Sequence, residues 1–161
     1  MRIRKATSRD VPAIAVMIGQ LAEYEHLVDE VSMTPEDLRL HIFGVAPVAE
    51  VIIAEDETEE AVGFALFFPS FSTFRGRPGI YLEDLFVRPT HRGCGAGTAM
   101  LRHIARLAVG RGCARVEWSV LNWNEPAIKL YEKLGARANF EWTTCRLSDS
   151  ALGRLAAEGA T

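Results

Sequence analysis

The sequence has few of the features that mark metal proteins, disulfide scaffolds and membrane proteins. Its three cysteines, Cys94, Cys113 and Cys145, lie far apart and lack the C-x-x-C spacing of zinc sites. The four histidines also lack the spacing of metal ligands. No apolar run approaches the roughly 20 residues that cross a bilayer, and no apolar signal segment follows Met1. We therefore expect a cytoplasmic protein with no metal and no membrane partner.

A strong excess of charge of one sign is missing as well. The 161 residues carry a formal net charge of −3, with 48% hydrophobic and 24% charged residues, which is ordinary for one globular domain over residues 1–161. Residues 1–80 hold 7 Lys or Arg against 13 Asp or Glu, and residues 81–161 hold 11 against 8. Neither half is basic enough for a nucleic-acid partner. The acidic half could attract a cationic ligand and the other half a phosphate, although scattered solvated charges explain the same numbers.

Short strand-like segments alternate with longer helical ones. Apolar and β-branched runs predict strands over residues 2–6, 50–54, 61–69, 80–87, 114–121 and 141–147. Apolar residues at helical spacing, cap residues and a stop at Gly135 predict helices over 11–22, from 35, over 98–109 and over 125–134. The acidic stretch 55–60 is expected to be a solvated hairpin turn. Strands up to residue 87 indicate an antiparallel meander, and the strands that helices separate after it indicate parallel pairing. We therefore predict an α/β fold with a mixed sheet and helices on its faces.

A glycine-rich loop between a strand and a helix is the most informative motif. It reads Arg92-Gly93-Cys94-Gly95-Ala96-Gly97. Glycines let a backbone approach a ligand closely, and the free N–H groups in the first turn of a helix bind anions, so a phosphate or pyrophosphate is the natural ligand. A simple tight turn has the same composition. The G-x-x-x-x-G-K-[ST] motif is absent, and Thr98 stands where the dinucleotide fingerprint needs glycine.

The loop and several other segments resemble a known enzyme family. Arg92-x-x-Gly95-x-Gly97 after the strand 81–89 resembles the acetyl-CoA loop of the GNAT superfamily of N-acetyltransferases. Residues 21–25, 63–65, 81–84, 123–126 and 130–136 resemble its spermidine/spermine (diamine) acetyltransferase branch. The resemblance implies a homodimer and a mostly antiparallel sheet whose central parallel strands splay apart, with the pantetheine arm of acetyl-CoA in the gap. The cofactor contacts that it implies are Leu85, Phe86, Val87, Arg92, Gly93, Cys94, Gly95, Ala96, Gly97, Thr98, Asn124, Glu125, Pro126, Ala127 and Tyr131.

Acetylation of an amine requires a base and an acid. An alkyl ammonium must lose a proton before it can attack a thioester, and Glu83 is the expected base. Adjacent residues of a regular strand point to opposite faces, so Glu83 and Asp84 line one pocket only if the strand bulges there. A strand end with one solvated acid is the alternative. The family places a tyrosine on the penultimate helix as the acid that protonates the CoA thiolate, and Tyr131 occupies the matching position. Periodicity alone makes Tyr131 a packed core residue.

The acceptor site is expected to be acidic and aromatic. Tyr24 and Glu25 match family residues near the amine, although a solvated helix end explains the same charges. The full expected acceptor set is Tyr24, Glu25, Glu83, Asp84, Glu117, Trp118, Ser119 and Trp142. Residues 137–144 depart from the usual segment of the branch. These features together predict an acetyl-CoA-dependent N-acetyltransferase of a small, cationic, polyamine-like amine that attacks directly in a ternary complex. A thialysine-like acceptor and a non-catalytic acyl-CoA sensor are the alternatives.

Overall fold

A five-stranded sheet is the frame of the larger part of the chain. The computed structural model describes residues 1–158, and the chain divides into two compact units, Met1–Leu121 and Asn122–Thr161. The strands of the first unit are β1 (Arg2–Lys5), β2 (Glu50–Glu55), β3 (Ala61–Ser72), β4 (Arg77–Val87) and β5 (Val116–Trp118). Their order in the sheet follows the chain, with antiparallel pairs from β1 to β4 and a parallel pair between β4 and β5. The predicted mixed, mostly antiparallel sheet is confirmed, while the expectation of a single domain stays a prediction.

Helices cover both faces of this sheet. They are α1 (Val11–Glu25), α2 (Pro35–Phe43) and α3 (Ala96–Gly110). Helices α1 and α2 pack with alternate residues of the strands, among them Phe64 and Phe86, in one buried apolar cluster. Helix α3 lies against the other face, where a β-carbon on Gly63 would come within 3.2 Å of Met100 Cε. The same β-carbon would lie 2.7 Å from the carbonyl oxygen of Phe86, so only glycine lets β3 and β4 approach each other here.

The sequence signals for helix starts are confirmed by side-chain contacts. The expected cap Thr34 forms a capping box with Asp37, in which Thr34 N donates to Asp37 Oδ2 over 2.8 Å and Asp37 N donates to Thr34 Oγ1 over 3.2 Å. Before α1, Thr7 N donates to Asp10 Oδ2 over 2.7 Å, and a short 3₁₀ turn leads into the helix. Helix α1 continues three residues beyond its expected end and stops where His26 takes a left-handed φ of 60°.

The acidic stretch 55–60 is only partly the solvated turn expected from the sequence. Glu55 is the last residue of β2 and only 5% exposed. Its Oε1 accepts a hydrogen bond of 2.5 Å from Arg4 Nε, and the same guanidinium donates to both carboxylate oxygens of Asp10 over 2.7 and 2.8 Å. The sequence pattern did not show this cluster because Glu55 lies 51 positions from Arg4. Residues 57–60 are exposed, as expected.

The second unit contains two helices, α4 (Glu125–Lys133) and α5 (Asp149–Ala157). Gly135 follows α4 with a left-handed φ of 91°, which confirms the expected stop. The strand expected over 141–147 is wrong: these residues are irregular and exposed, and helix α5 follows them. A β-rich composition forms a strand only where another strand satisfies its backbone groups, and no described strand pairs with this segment. In residues 1–158 no helix is both long and apolar enough to span a bilayer.

Candidate active site

Strands β4 and β5 separate at the middle of β4. Their parallel pairing covers only Ile80–Leu82 of β4 and Val116–Trp118 of β5, whereas β4 continues to Val87. The Arg88 N–H donates to Val62 O on the β3 side, so the backbone groups of the alternating residues Leu85 and Val87 face the opposite edge. No described strand pairs with that edge after Leu82. An extended ligand can therefore add to β4 there through backbone hydrogen bonds.

The glycine loop follows this open edge. A short turn at Pro89–His91 leads to Gly93 and Gly95, whose left-handed φ angles of 79° and 89° suit glycine, and α3 begins at Ala96. A β-carbon on either glycine would have no heavy atom within 4 Å, so the space above the loop is open. No side chain caps α3 at Gly95. The open cradle and the helix N-terminus behind it fit the pyrophosphate of CoA.

The side chain of Arg92 ties the loop to the rest of the first unit. Its Nε donates to Val87 O over 3.2 Å, and its guanidinium carbon lies 4.4 Å from the centre of the Tyr24 ring and 5.9 Å from that of Phe86. Arg92 therefore lies between the end of β4 and the last turn of α1. Cys94 is exposed, and its thiol donates to His91 O over 2.6 Å within the turn. The sequence did not reveal the contact with Tyr24, because 68 positions separate the two residues.

Strand β4 has a bulge at the two acidic residues of its open half. Leu66 of β3 pairs with Asp84, whereas the next residue, Phe67, pairs with Leu82, so Glu83 has no partner. The bulge shifts the alternation of β4 by one residue. Asp84 then shares the sheet face of its partner Leu66, the face covered by α1. Glu83 and Asp84 can line one pocket only if the strand bulges at these residues, and β4 has that bulge.

The two charged groups that shift the pKa of Asp84 are both negative. Asp84 is half-buried and Glu83 is exposed. Burial, together with the negative charges of Glu83 and of Glu25 at the end of α1, raises the pKa of Asp84 to about 6. Burial also raises the pKa of Glu25. Three carboxyl groups thus lie where the loop, α1 and the open edge of β4 meet, which suits a cationic ligand and a proton acceptor.

The other residues expected at the acceptor site are divided between the two units. Glu117 and Trp118 belong to β5, and the Glu117 carboxylate accepts a hydrogen bond of 2.6 Å from Arg115 Nε. The hydroxyl of Ser119 lies 2.9 Å from that of Tyr81, a neighbour that the sequence did not indicate. In the second unit, Trp142 is 75% exposed.

The remaining expected cofactor contacts lie at or within helix α4. The buried Asn124 caps the helix by accepting a hydrogen bond from Ala127 N over 3.4 Å, and Pro126 occupies its first turn, after Glu125. Tyr131 lies within α4 and is half-buried. Among residues 1–158 there is no group of three side chains suited to hold a metal ion.

Comparisons with known proteins agree with this geometry. The model of the acetyltransferase (GNAT) family matches residues 20–136. A thialysine N-epsilon-acetyltransferase of Bos taurus is 39% identical over 164 aligned residues, which cover 96% of each chain. A spermidine/spermine N(1)-acetyltransferase-like protein of Homo sapiens is 31% identical over 84% of this chain, but the match covers only 20% of that protein. Among solved structures, an integron cassette protein from the mobile metagenome of V. cholerae has a TM-score of 0.79 at 25% identity, with 96% of each chain covered.

Proposed function

The chain belongs to the GNAT family of N-acetyltransferases, and we propose that it transfers the acetyl group of acetyl-CoA to a primary amine of a small, cationic acceptor. The observation that carries this proposal is the bulge of β4, which puts Glu83 and Asp84 beside the open strand edge. The family uses acetyl-CoA as its co-substrate. A proton acceptor is needed beside the thioester, and the bulge supplies two carboxylates next to the edge where the pantetheine arm fits.

The residues proposed to hold acetyl-CoA form two groups. In the first unit they are the backbone of Leu85, Phe86 and Val87 and the loop from Arg92 to Thr98. The open edge supports Leu85 and Val87, and the left-handed glycines and the uncapped start of α3 support the loop, whereas Phe86 is supported by the family resemblance. In the second unit they are Asn124–Ala127 and Tyr131, which the family resemblance supports. The Arg92 guanidinium is already engaged by Tyr24 and Val87 O, so we assign the pyrophosphate to backbone N–H groups of the loop and α3.

The chemistry needs no covalent enzyme intermediate. Acetyl-CoA supplies an activated acyl carbon, and the carboxylates of the β4 bulge remove a proton from the acceptor ammonium so that the amine can attack it. Backbone N–H groups at the open edge, near Leu85, would stabilise the developing oxyanion. Tyr131 would donate a proton to the departing thiolate.

We favour an amino-acid-like acceptor with a side-chain amine, such as thialysine, over a polyamine. The thialysine acetyltransferase matches over nearly its whole length with 39% identity, whereas the spermidine/spermine-related protein matches at 31% and over a fifth of its length. An acidic pocket binds both kinds of cation. A polyamine remains the second candidate because Glu25, Glu83 and Asp84 provide three carboxylates for several positive charges.

Steady-state acetylation of a panel of amines tests this function. Thialysine, lysine, putrescine and spermidine are compared at fixed acetyl-CoA, with release of the CoA thiol as the readout. We expect kcat/KM to be highest for thialysine. A preference for spermidine would select the second candidate. Binding of acetyl-CoA without turnover of any amine would contradict the enzymatic function and would point to an acyl-CoA sensor.

A tyrosine variant tests the proposed acid. Tyr131→Phe is expected to keep its affinity for CoA and to lose turnover. Tyr81→Phe shows by comparison what the loss of a phenolic oxygen does in β4, where that oxygen lies 2.9 Å from Ser119 Oγ of the expected acceptor site. Unchanged turnover in Tyr131→Phe would reject the acid role.

We also propose a homodimer, which the resemblance supports, and a cytoplasmic location, which the widely spaced cysteines support. Light scattering of the purified protein tests the dimer, for which twice the chain mass of 17.8 kDa is expected. Fluorescence microscopy of the tagged protein in its native host tests the location.

A further inference from the structure

The position of the bulge distinguishes the two acids of β4. Without it, the alternation from Leu82 would place Asp84 on the α3 face and Glu83 on the α1 face. With it, Asp84 pairs with Leu66 and is half-buried on the α1 face, while Glu83 is the unpaired, exposed residue. The two carboxyl groups therefore differ in solvation although they are adjacent in sequence.

From this geometry we infer that Asp84, rather than Glu83, accepts the proton of the acceptor ammonium, while Glu83 and Glu25 hold the cation. The inference rests on the proposed acetyltransferase function and refines it. Glu83, the base expected from the sequence, is the alternative that the test must separate.

The surroundings of Asp84 support this division of roles. Two negative groups face it, Glu83 from its own strand and Glu25 from the end of α1. The nearby Arg92 guanidinium lies over the rings of Tyr24 and Phe86, and no cation is among the groups that shift the Asp84 pKa. With a pKa raised to about 6, Asp84 is ionised at pH 7.5 yet binds a proton more strongly than a solvated carboxylate does.

The reaction balances with this single acceptor. The ammonium gives one proton to Asp84 and becomes a neutral amine. The amine attacks the thioester carbonyl, so that a C–N bond forms and the C–S bond breaks. The nitrogen then loses a second proton, and the departing thiolate gains one proton, so these two changes cancel. Asp84 returns its proton to water, and one proton is released per acetyl transfer.

The pH dependence of kcat/KM for the acceptor separates the two acids, because it reports the ionisation of the free enzyme. We expect the wild type to lose activity below a pKa near 6. In Asp84→Asn, kcat/KM should fall about 10²- to 10⁴-fold, the usual contribution of a general base, and the acid limb should disappear. Glu83→Gln and Glu25→Gln should keep the limb but move it to lower pH, because each removes a negative charge that raises the Asp84 pKa. Asp84→Glu, which keeps a carboxylate, should recover part of the rate.

Loss of the acid limb in Glu83→Gln together with its retention in Asp84→Asn would overturn the assignment. Wild-type turnover of an amine tests the proposed function separately. Carboxyl NMR titration gives a readout that needs neither turnover nor the Asn variant. The Asp84 carboxyl should titrate near pH 6 in the wild type and lower in Glu83→Gln, and an ordinary value near 4 would reject the inference. Far-UV circular dichroism and acetyl-CoA affinity control for misfolding of each variant.

Discussion

Two carboxylate clusters of the first unit differ in whether an arginine is bound to the carboxylates. In the first cluster, Arg4 lies between Asp10 and Glu55 and donates to both. In the second, which consists of Glu25, Glu83 and Asp84, the Arg92 guanidinium lies over the ring of Tyr24, the neighbour of Glu25 in sequence, and Arg92 Nε donates to a carbonyl oxygen. The pKa of Asp10 falls to about 2, mainly through its hydrogen bond with Arg4, whereas that of Asp84 rises to about 6, mainly through burial. The same residue type is thus a structural anion in one place and a proton acceptor in the other.

The largest expected effect comes from removing the cation of the first cluster. Arg4→Met leaves the buried Asp10 without a guanidinium and the buried Glu55 with only Arg2, whose Nη1 lies 3.8 Å from Glu55 Oε2, so the free energy of unfolding should fall by about 3 kcal/mol. Urea unfolding at pH 7 measures it, with Arg9→Met, a change at an exposed arginine nearby, as the control. A loss no larger than that of the control would show that the cluster is not a structural ion pair.

The two clusters should also affect the pH dependence of the free energy of unfolding in opposite directions. The folded-state pKa of Asp10 is lowered, so its contribution is present above the unfolded value and is lost only as the pH falls towards about 2. Asp10→Asn should therefore cost about 2 kcal/mol at pH 8 and nearly as much at pH 4. The folded-state pKa of Asp84 is raised, so the folded protein is favoured by its protonation below about pH 4, and this advantage is lost as the pH rises through 6.

Asp84→Asn should accordingly stabilise the protein by about 2 kcal/mol at pH 8, with some allowance for solvent screening, and change little at pH 4. Urea unfolding of both variants at the two pH values measures the contrast. A variant of Asp84 that is destabilised at pH 8 would mean that the carboxylate is paired with a cation after all. Stabilisation with loss of activity is the trade-off expected of a residue kept for function.

The contact between Arg92 and Tyr24 should have a smaller effect. Tyr24→Leu removes the ring that the Arg92 guanidinium contacts, and kcat/KM for the acceptor should fall about 3- to 10-fold, in line with about 1 kcal/mol for a partly exposed cation–π contact. The double variant Tyr24→Leu, Arg92→Lys gives the coupling between the two residues. Fully additive losses would show that the loop and the end of α1 act independently.

Signals between residues close in sequence predicted most of the helix and strand limits. The Thr34 cap, the Pro35 start and the Gly135 stop each depend on residues within four positions of one another, and each is where the sequence placed it. The strand limits also agree to within a few residues from β1 to β4. The segment 141–147 shows the limit of this approach, because strand formation depends on a partner that composition does not specify.

The motifs of the site could be predicted from the sequence, but the burial and the pairing of its charged residues could not. The glycine loop and the acidic pair are visible as motifs, and the need for a bulge follows from strand geometry. Whether the bulge exists depends on the register of β3 against β4, which is set by packing across the sheet. The burial of Glu55 and the direction of Arg92 depend on contacts between residues more than 50 positions apart, beyond any local pattern.

An exposed ion pair offers the smallest and most discriminating comparison. Arg111 at the end of α3 donates to both carboxylate oxygens of Glu50 over 2.6 and 2.8 Å, a geometry as good as that of Arg4 with Asp10. Solvent screens this pair, so Arg111→Ala should lower the free energy of unfolding by less than about 1 kcal/mol and by still less at high salt. Urea unfolding at low and at 1 M salt measures both values. A loss as large as that from Arg4→Met would mean that bidentate geometry, rather than burial, makes the first cluster stable.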